Sequence, residues 1–341
     1  MIAAGLELVC PRCRSSLSSA GPRVHCGSCD RNYPVIDGIP DLRLRPDPWI
    51  GLEDDRTKAR RVLEATAGRD FEETVRAYWA LTPTTPTAAA ERFIGHVLRA
   101  RDRSHQWLDS LGPDADASAA PWLDAGCGTG DLAAAAGPGV TVVGVDVALR
   151  WLVIAKKRLQ EEGVAAHLVC ANAEHLPFED ATFGRWFSLG LLEHCEDAGA
   201  VVREGTRVLR PGGVARLRTV NRYSPLPEPH VGVRWVGHLP RRFADRYVRW
   251  RTGHRYLHHH PLGPAALARR LRQAGLERVS VGAAPLLAAE AARLPEGTRR
   301  WAARYESART KPGVARLLRW VTPMLEARAQ APRASAAYVS T

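Results

Sequence analysis

The chain has 341 residues, 45% of them hydrophobic and 25% charged, with a formal net charge of +12. That length exceeds one average domain and predicts a core domain with accessory pieces. No run of about 18 apolar residues occurs, which excludes a spanning helix and stable membrane insertion. The first nine residues lack a basic region followed by an apolar one, so no secretory signal is expected and the protein is placed in the cytoplasm.

The chain opens on two cysteine knuckles, Cys10-Pro-Arg-Cys13 and Cys26-Gly-Ser-Cys29, which hold four of the seven cysteines. A disulfide scaffold would not confine its pairs to one short segment, so the knuckles read as metal ligands. Four thiolates supply the tetrahedral set that structural zinc prefers, with no open position for catalysis. Residues 1–46, ending in Tyr33-Pro-Val-Ile-Asp-Gly-Ile-Pro40, form this module. It is too small to fold well on its own core, so the metal should supply much of its stability. A helical extension and linker follows over 47–118. Its predicted helices are 52–66, 70–80 and 87–110, the last with Thr87 as N-cap and Phe93, Val97 and Leu98 as an apolar stripe. Residues 112–120 read as a polar linker.

Strands and helices then alternate. Strands are predicted at 122–125, 140–145, 167–170, 186–189 and 214–220, with helices at 131–136, 148–160 and 201–209 between them. This β-α-β order predicts an α/β class with a Rossmann-like, doubly wound, mostly parallel sheet over 119–285. An insertion over 221–262, rich in Pro, Arg, His and Trp, breaks the alternation after the fifth strand. Open α/β sheets bind ligands outside those strand ends, so it is placed to shape a substrate pocket. A helix at 264–274 and a strand at 278–281 resume the pattern. Residues 286–341 read as an arginine-rich helical tail with a last strand at 334–339.

The turn Leu123-Asp-Ala-Gly-Cys-Gly-Thr-Gly130 joins the first of these strands to its helix. Gly126, Gly128 and Gly130 let the backbone turn sharply and approach a ligand where a Cβ would clash. Asp146 ends the next strand, where a carboxylate can accept both ribose hydroxyls of a nucleoside. Asp124 and Val147 flank these two positions and join them as cofactor candidates.

On these residues the chain resembles the class I S-adenosylmethionine-dependent methyltransferases over roughly 119–285. Leu123–Gly130 matches their first motif, Val143-Gly-Val-Asp146 the ribose-binding second, and Ala171-Asn-Ala-Glu-His-Leu-Pro-Phe178 the adenine-side third. Leu192-Glu193-His194 and Val208-Leu-Arg-Pro-Gly-Gly213 match landmarks of the ubiquinone/menaquinone-biosynthesis-like subgroup. The resemblance implies S-adenosylmethionine held by the Gly126 and Gly128 backbone, the Asp146 carboxylate and the Asn172–Ala173 segment. Asn172 stands where the family usually has Asp, though its side-chain oxygen still accepts. Gly190 stands where some relatives have the first Glu of a metal-binding Glu-x-x-Glu-His pattern, which argues against metal use through Glu193 and His194. The cysteine segment resembles the small zinc-ribbon activators that partner tRNA, rRNA and protein methyltransferases. Zinc ribbons also head rRNA guanine-N1 methyltransferases. The ribbon therefore reads either as a substrate reader or as a brace for the catalytic domain.

Charge is segregated along the chain. Residues 1–221 hold 26 Lys/Arg against 29 Asp/Glu, and residues 222–341 hold 22 against 7. The basic half reads either as solvated helices or as a surface for phosphate, carboxylate or nucleic acid. Within it, residues 222–260 carry eight arginines, two acids, six histidines and six aromatics. Such interleaving suits single-stranded nucleic acid or a pocket for an acidic or aromatic metabolite. His230 and His238 are candidates to take a proton from a hydroxyl or amine acceptor, and His194 is either catalytic or a structural hydrogen-bonding group. The run 258–260 reads as a solvated turn because no acid lies near it in sequence. The expected function is methyl transfer to a small-molecule acceptor, with rRNA or tRNA base methylation as the rival and a non-catalytic partner protein third. The sequence leaves the oligomeric state open.

Overall fold

A computed structural model describes residues 6–82, 85–112, 120–165, 167–292 and 296–333. The amino-terminal module is a four-stranded antiparallel sheet: β1 (Ser18–Ala20), β2 (Arg23–Cys26), β3 (Arg31–Ile36) and β4 (Ile39–Pro40). It does not stand apart. Val24, Tyr33 and Leu42 pack in one buried cluster with Val169 and Phe178 of the main sheet region. The Val9 amide donates to Pro177 O, and the Leu42 amide donates to Cys170 O. The chain leaving β4 thereby lies alongside the edge of the main sheet.

Helices α1 (Leu52–Ala65), α2 (Phe71–Ala80), α3 (Thr87–Leu98) and α4 (Ala100–Ser110) follow. Asp70 caps α2 by accepting from the Glu73 amide, while the Glu73 carboxylate accepts from the Asp70 amide. That reciprocal box fixes the start of the helix. The single helix expected over 87–110 is two, broken at Arg99, and Pro86 rather than Thr87 is the residue before the first helical position. Most of the expected linker, and all of the strand expected at 334–339, lie outside the described residues.

The core runs β5 (Trp122–Ala125), α5 (Asp131–Ala136), β6 (Val142–Asp146), α6 (Leu149–Glu161), β7 (His167–Cys170), β8 (Phe183–Leu189), α7 (Ala198–Val208) and β9 (Leu209–Val220). Every residue of β5 and β7 is buried, as expected for parallel strands covered on both faces. The insertion contains α8 (Arg241–Thr252), and α9 (Pro264–Gln273) and β10 (Glu277–Ala283) resume the core. The tail holds α10 (Ala288–Ala291), α11 (Glu296–Arg309) and α12 (Pro312–Leu318), then β11 (Met324–Gln330). The seven-stranded order is β10-β11-β9-β8-β5-β6-β7, with β5 through β9 parallel and β11 antiparallel to both neighbours.

β11 corrects the reading of the tail as helical. Leu325, Ala327 and Ala329 are buried and Arg328 between them is exposed, a period of two that fits a strand. Strand order reverses between β5 and β8, and the candidate site opens at their carboxyl ends, as in other doubly wound sheets. Among the described residues, no helix is long and apolar enough to cross a membrane.

Candidate active site

Two cavities meet at the glycine turn after β5. One, of about 690 Å³, is lined by Gly126, Gly128, Asp146, Val147, Asn172 and Ala173. The other, of about 440 Å³, shares Gly126, Gly128 and His194 with it and reaches Trp107, Glu193, Arg218, His230 and Glu290. A ligand spanning the two would therefore pass over the glycines, with one compartment at the β6/β7 ends and the other toward the insertion.

The three glycines differ in what forbids a side chain. Gly126 and Gly128 both have left-handed backbone, φ +83° and +50°. A Cβ on Gly126 would sit 2.9 Å from Leu191 Cβ, so that position is closed by packing. A Cβ on Gly128 would meet nothing within 4 Å; its open side is the cavity itself. Gly130 lines neither cavity and packs against α6, where a Cβ would come within 3.2 Å of Ala155. Asp124 also lines neither cavity. It is buried within β5, and burial, then the nearby Asp131 and Asp146, push its carboxyl well above the usual range. Both residues thus support the turn from behind.

Asp146 accepts from the Gly128 amide at 2.9 Å and from the Ala148 amide at 2.8 Å, which aims its carboxylate at the rim of the cavity. Burial raises its pKa, opposed by those two amides. Asn172 is committed elsewhere. Its oxygen accepts from the Leu44 and Arg45 amides at 2.9 and 3.1 Å, and its nitrogen donates to Arg45 O. The carboxamide thus ties down the chain leaving the ribbon, and its acceptor capacity is already filled. What lines the cavity at this point is the segment it tethers: Arg45, Pro46, Asp47, Pro48 and Trp49.

That segment is absent from the sequence reading, and so is the buried charge chain that holds it. Arg43 reaches Asp41 and Asp55, each at 2.7 Å, and Arg150 bridges Asp55 to Asp47. Arg43 also donates to Val147 O, next to the Asp146 carboxylate. The sequence signal was faint: charged residues at 41, 43, 47 and 55 look like ordinary surface until the fold buries them.

In the ribbon, Cys10 and Cys29 sulfurs are 3.6 Å apart and Cys13 and Cys26 sulfurs 3.5 Å apart. All four ligand atoms lie within 4.8 Å of one another, and all four cysteines are free thiols. Tetrahedral zinc with bonds of about 2.3 Å sets its sulfurs about 3.8 Å apart, so the four-sulfur cage fits that ion. Tyr33 Oη lies 3.3 Å from Cys10 Sγ and supplies an outer-shell contact that the sequence did not announce.

The histidines sort differently from expectation. His194 and His230 both line the smaller cavity, with ring centroids 4.7 Å apart. His238 is exposed, packs against Tyr223 and Trp235, and lines neither cavity, so it stands apart from His194 and His230. The run 258–260 is not a solvated turn. His259 turns inward and packs against His194, His230 and Tyr256 at 5.1, 4.6 and 4.9 Å. Glu228 holds His230 Nδ1 at 2.6 Å and raises that imidazole's pKa against the opposing effect of burial. Burial, followed by the His230 and His194 rings, lowers His259 to about 4. Glu193 is buried and accepts from the Thr219 hydroxyl at 2.7 Å.

A family model described as a methyltransferase domain matches residues 123–217. The ubiquinone biosynthesis O-methyltransferase of Thiobacillus denitrificans is 32% identical over 175 residues, covering 50% of this chain and 69% of that protein. The demethylmenaquinone methyltransferase of Bacillus cytotoxicus is 30% identical over 168 residues, 47% of this chain and 70% of that protein. Among solved structures, Haemonchus contortus phosphoethanolamine N-methyltransferase 2 with S-adenosyl-L-methionine aligns with a TM-score of 0.45 and 18% identity, covering 68% of this chain and 53% of that one. The chain belongs to the class I S-adenosylmethionine-dependent methyltransferases.

Proposed function

We propose that the protein transfers a methyl group from S-adenosylmethionine to a small-molecule acceptor. The observation that carries this reading is the open side of Gly128 facing a cavity whose rim holds Asp146. In this reading the larger cavity takes the nucleoside. Gly126 and Gly128 give it backbone, Asp146 receives the ribose hydroxyls, and Val147, Asn172 and Ala173 wall the adenine side.

When bound, the cofactor supplies a methyl carbon already activated by the sulfonium. The protein then has mainly to align an acceptor behind that carbon and exclude water, and alignment of this kind is worth about 7–11 kcal/mol. The smaller cavity provides the place. His194 and His230 line it on the side of the reacting heteroatom, and Arg218, paired with Glu290 at 2.8 Å, offers an anchor for an anionic or polar group. The related enzymes named for ubiquinone and menaquinone biosynthesis act on small molecules, which favours that acceptor class over nucleic acid.

The ribbon, in this reading, is a zinc-held brace. Its outgoing strand lies against Cys170, and residues 45–49 complete the nucleoside wall. The deciding experiment pairs calorimetry with S-adenosylmethionine and tritiated-methyl transfer into a lysate split into small-molecule, RNA and protein fractions. Label in the small-molecule fraction is the expected result; label in RNA or protein would overturn the acceptor class.

A further inference from the structure

The insertion brings together a cluster that methyl transfer alone does not require. His194 follows β8, His230 lies early in the insertion, and His259 lies at its end, 65 residues beyond His194 in sequence. One nitrogen from each of the three rings lies within 4.8 Å of the others. We propose that His194, His230 and His259 form a second metal site, taking a divalent transition-metal ion of the zinc class.

Three further observations fit this assignment. Metal-binding histidines usually donate their second ring nitrogen to a carboxylate, which fixes the tautomer and the direction of the ligating lone pair. Glu228 does this for His230: its Oε1 lies 2.6 Å from Nδ1, leaving Nε2 as the ligand. The carboxylate is itself held by the His230 and Val231 amides, at 2.8 and 3.0 Å, so the orienting group is rigid. His259 Nδ1 is buried with no hydrogen-bond partner, a state that is costly for a polar atom unless a ligand meets it. Finally, His194 and His230 line the smaller cavity, so a three-histidine ion would keep an open position toward the acceptor.

Three imidazoles with an open fourth position are a recurring donor set for catalytic zinc. Bonds of about 2.0–2.1 Å set tetrahedral nitrogens about 3.4 Å apart, a spacing that ring rotation reaches from within 4.8 Å. This site is distinct from the ribbon, whose four thiolates leave no open position. It also does not use Glu193, which is tied to Thr219. The role of the ion rests on the methyl-transfer reading. The acceptor hydroxyl takes the open position, its proton leaves to water as the metal–oxygen bond forms, and the oxygen is presented for alkylation. His230 Nε2 cannot both ligate the ion and take that proton, so metal binding excludes a role for His230 as the base.

The test uses the full-length protein with its ribbon zinc retained, titrated with Co(II) alone and followed by visible absorption and elemental analysis. The expected result is one further equivalent per chain, with ligand-field bands and no thiolate charge-transfer absorption. His259→Ala should abolish this equivalent while leaving the ribbon zinc and S-adenosylmethionine binding in place. Glu228→Gln, which keeps the side-chain shape, should weaken Co(II) binding by about 10–100-fold. Absence of a second equivalent in the wild type, or an undiminished one in both variants, would overturn the site. Cofactor binding by calorimetry is read separately. Loss of that binding alongside intact Co(II) uptake counts against the methyl-transfer reading and not against the metal site.

Discussion

Gly128 and Asp146 do different work at the same rim, and substitutions separate them. Gly128→Val adds atoms where the structure has open cavity, at a backbone angle of +50° that a β-branched residue tolerates poorly. Cofactor affinity should collapse, with a smaller loss of stability. On the proposed reading Asp146→Ala removes the acceptor for the ribose hydroxyls, each charged hydrogen bond being worth about 1.5–3 kcal/mol. Calorimetry should show at least a tenfold loss of S-adenosylmethionine affinity. Unchanged affinity in Asp146→Ala would sink the assignment of the nucleoside site. Both residues were legible in the sequence because a strand, a glycine turn and a strand-ending acid form a local pattern. Asn172 was legible only in position. That its carboxamide tethers residues 44 and 45, 127 and more positions earlier in the chain, is a tertiary fact with no local signature.

At the scale of elements, the ribbon and the segment after it act as one part. The Cys10→Ser/Cys26→Ser double variant should lose zinc by elemental analysis, whereas Cys127→Ser, Cys170→Ser and Cys195→Ser should retain it. Because the Leu42 amide pairs with Cys170 O and residues 45–49 wall the larger cavity, proposed to take the nucleoside, the double variant should also weaken S-adenosylmethionine binding. Zinc retained in the double variant would refute the four-thiolate site. The buried charges give the same junction a pH dependence. Asp41 is desolvated, which raises its pKa, yet the Arg43 and Arg56 guanidiniums outweigh burial and hold its carboxyl below the usual range. A depressed carboxylate contributes stability that is present above its unfolded pKa of about 3.9 and drains away as pH falls through the folded value. Urea midpoints should therefore fall below about pH 4, and Arg56→Gln, which raises the folded value of Asp41, should make that fall smaller and end it at higher pH. Arg43→Ala leaves the buried Asp41 and Asp55 with one guanidinium partner each, Arg56 and Arg150, and should cost less at neutral pH than the about 3–5 kcal/mol of a fully orphaned buried charge. Sequence reading missed this chain because alternation of charge at 41, 43, 47 and 55 resembles solvated surface. It missed β11 for a related reason: the short alternating run at 325–329 follows arginine-rich helices whose composition dominates the window.

Across the whole molecule, the described Lys and Arg residues after 221 line neither cavity at the glycine turn, although Arg222, Arg241 and Arg270 line a third cavity with His259. Residues 222–341 hold 22 Lys/Arg against 7 Asp/Glu. Yet Arg218 and Arg103 are the arginines among the lining of the smaller cavity, and both precede that stretch. Within the insertion, Val233, Val236, Ala244, Val248 and Tyr256 make a small core of their own. Arg242, Arg246, Arg249 and Arg251 of α8 are exposed, with Phe243 and Trp250 exposed beside them. The sequence showed the charge but could not show this divergence, because arginines spaced along a helix converge or scatter only once the helix is placed. A nucleic-acid acceptor would need those cations and the site to share one track, and binding would fall steeply with salt, the log–log slope counting the phosphates neutralised. A small anionic acceptor held by Arg218 meets one or two charges, and its apparent affinity should vary only shallowly between about 50 and 200 mM salt. We expect the shallow dependence, measured as the KM of the methyl acceptor across that range, with Arg218→Gln raising KM and leaving S-adenosylmethionine affinity unchanged. Tight, steeply salt-dependent binding of ribosomal or transfer RNA, lost when the exposed arginines of α8 are neutralised, would instead make the basic face the substrate surface.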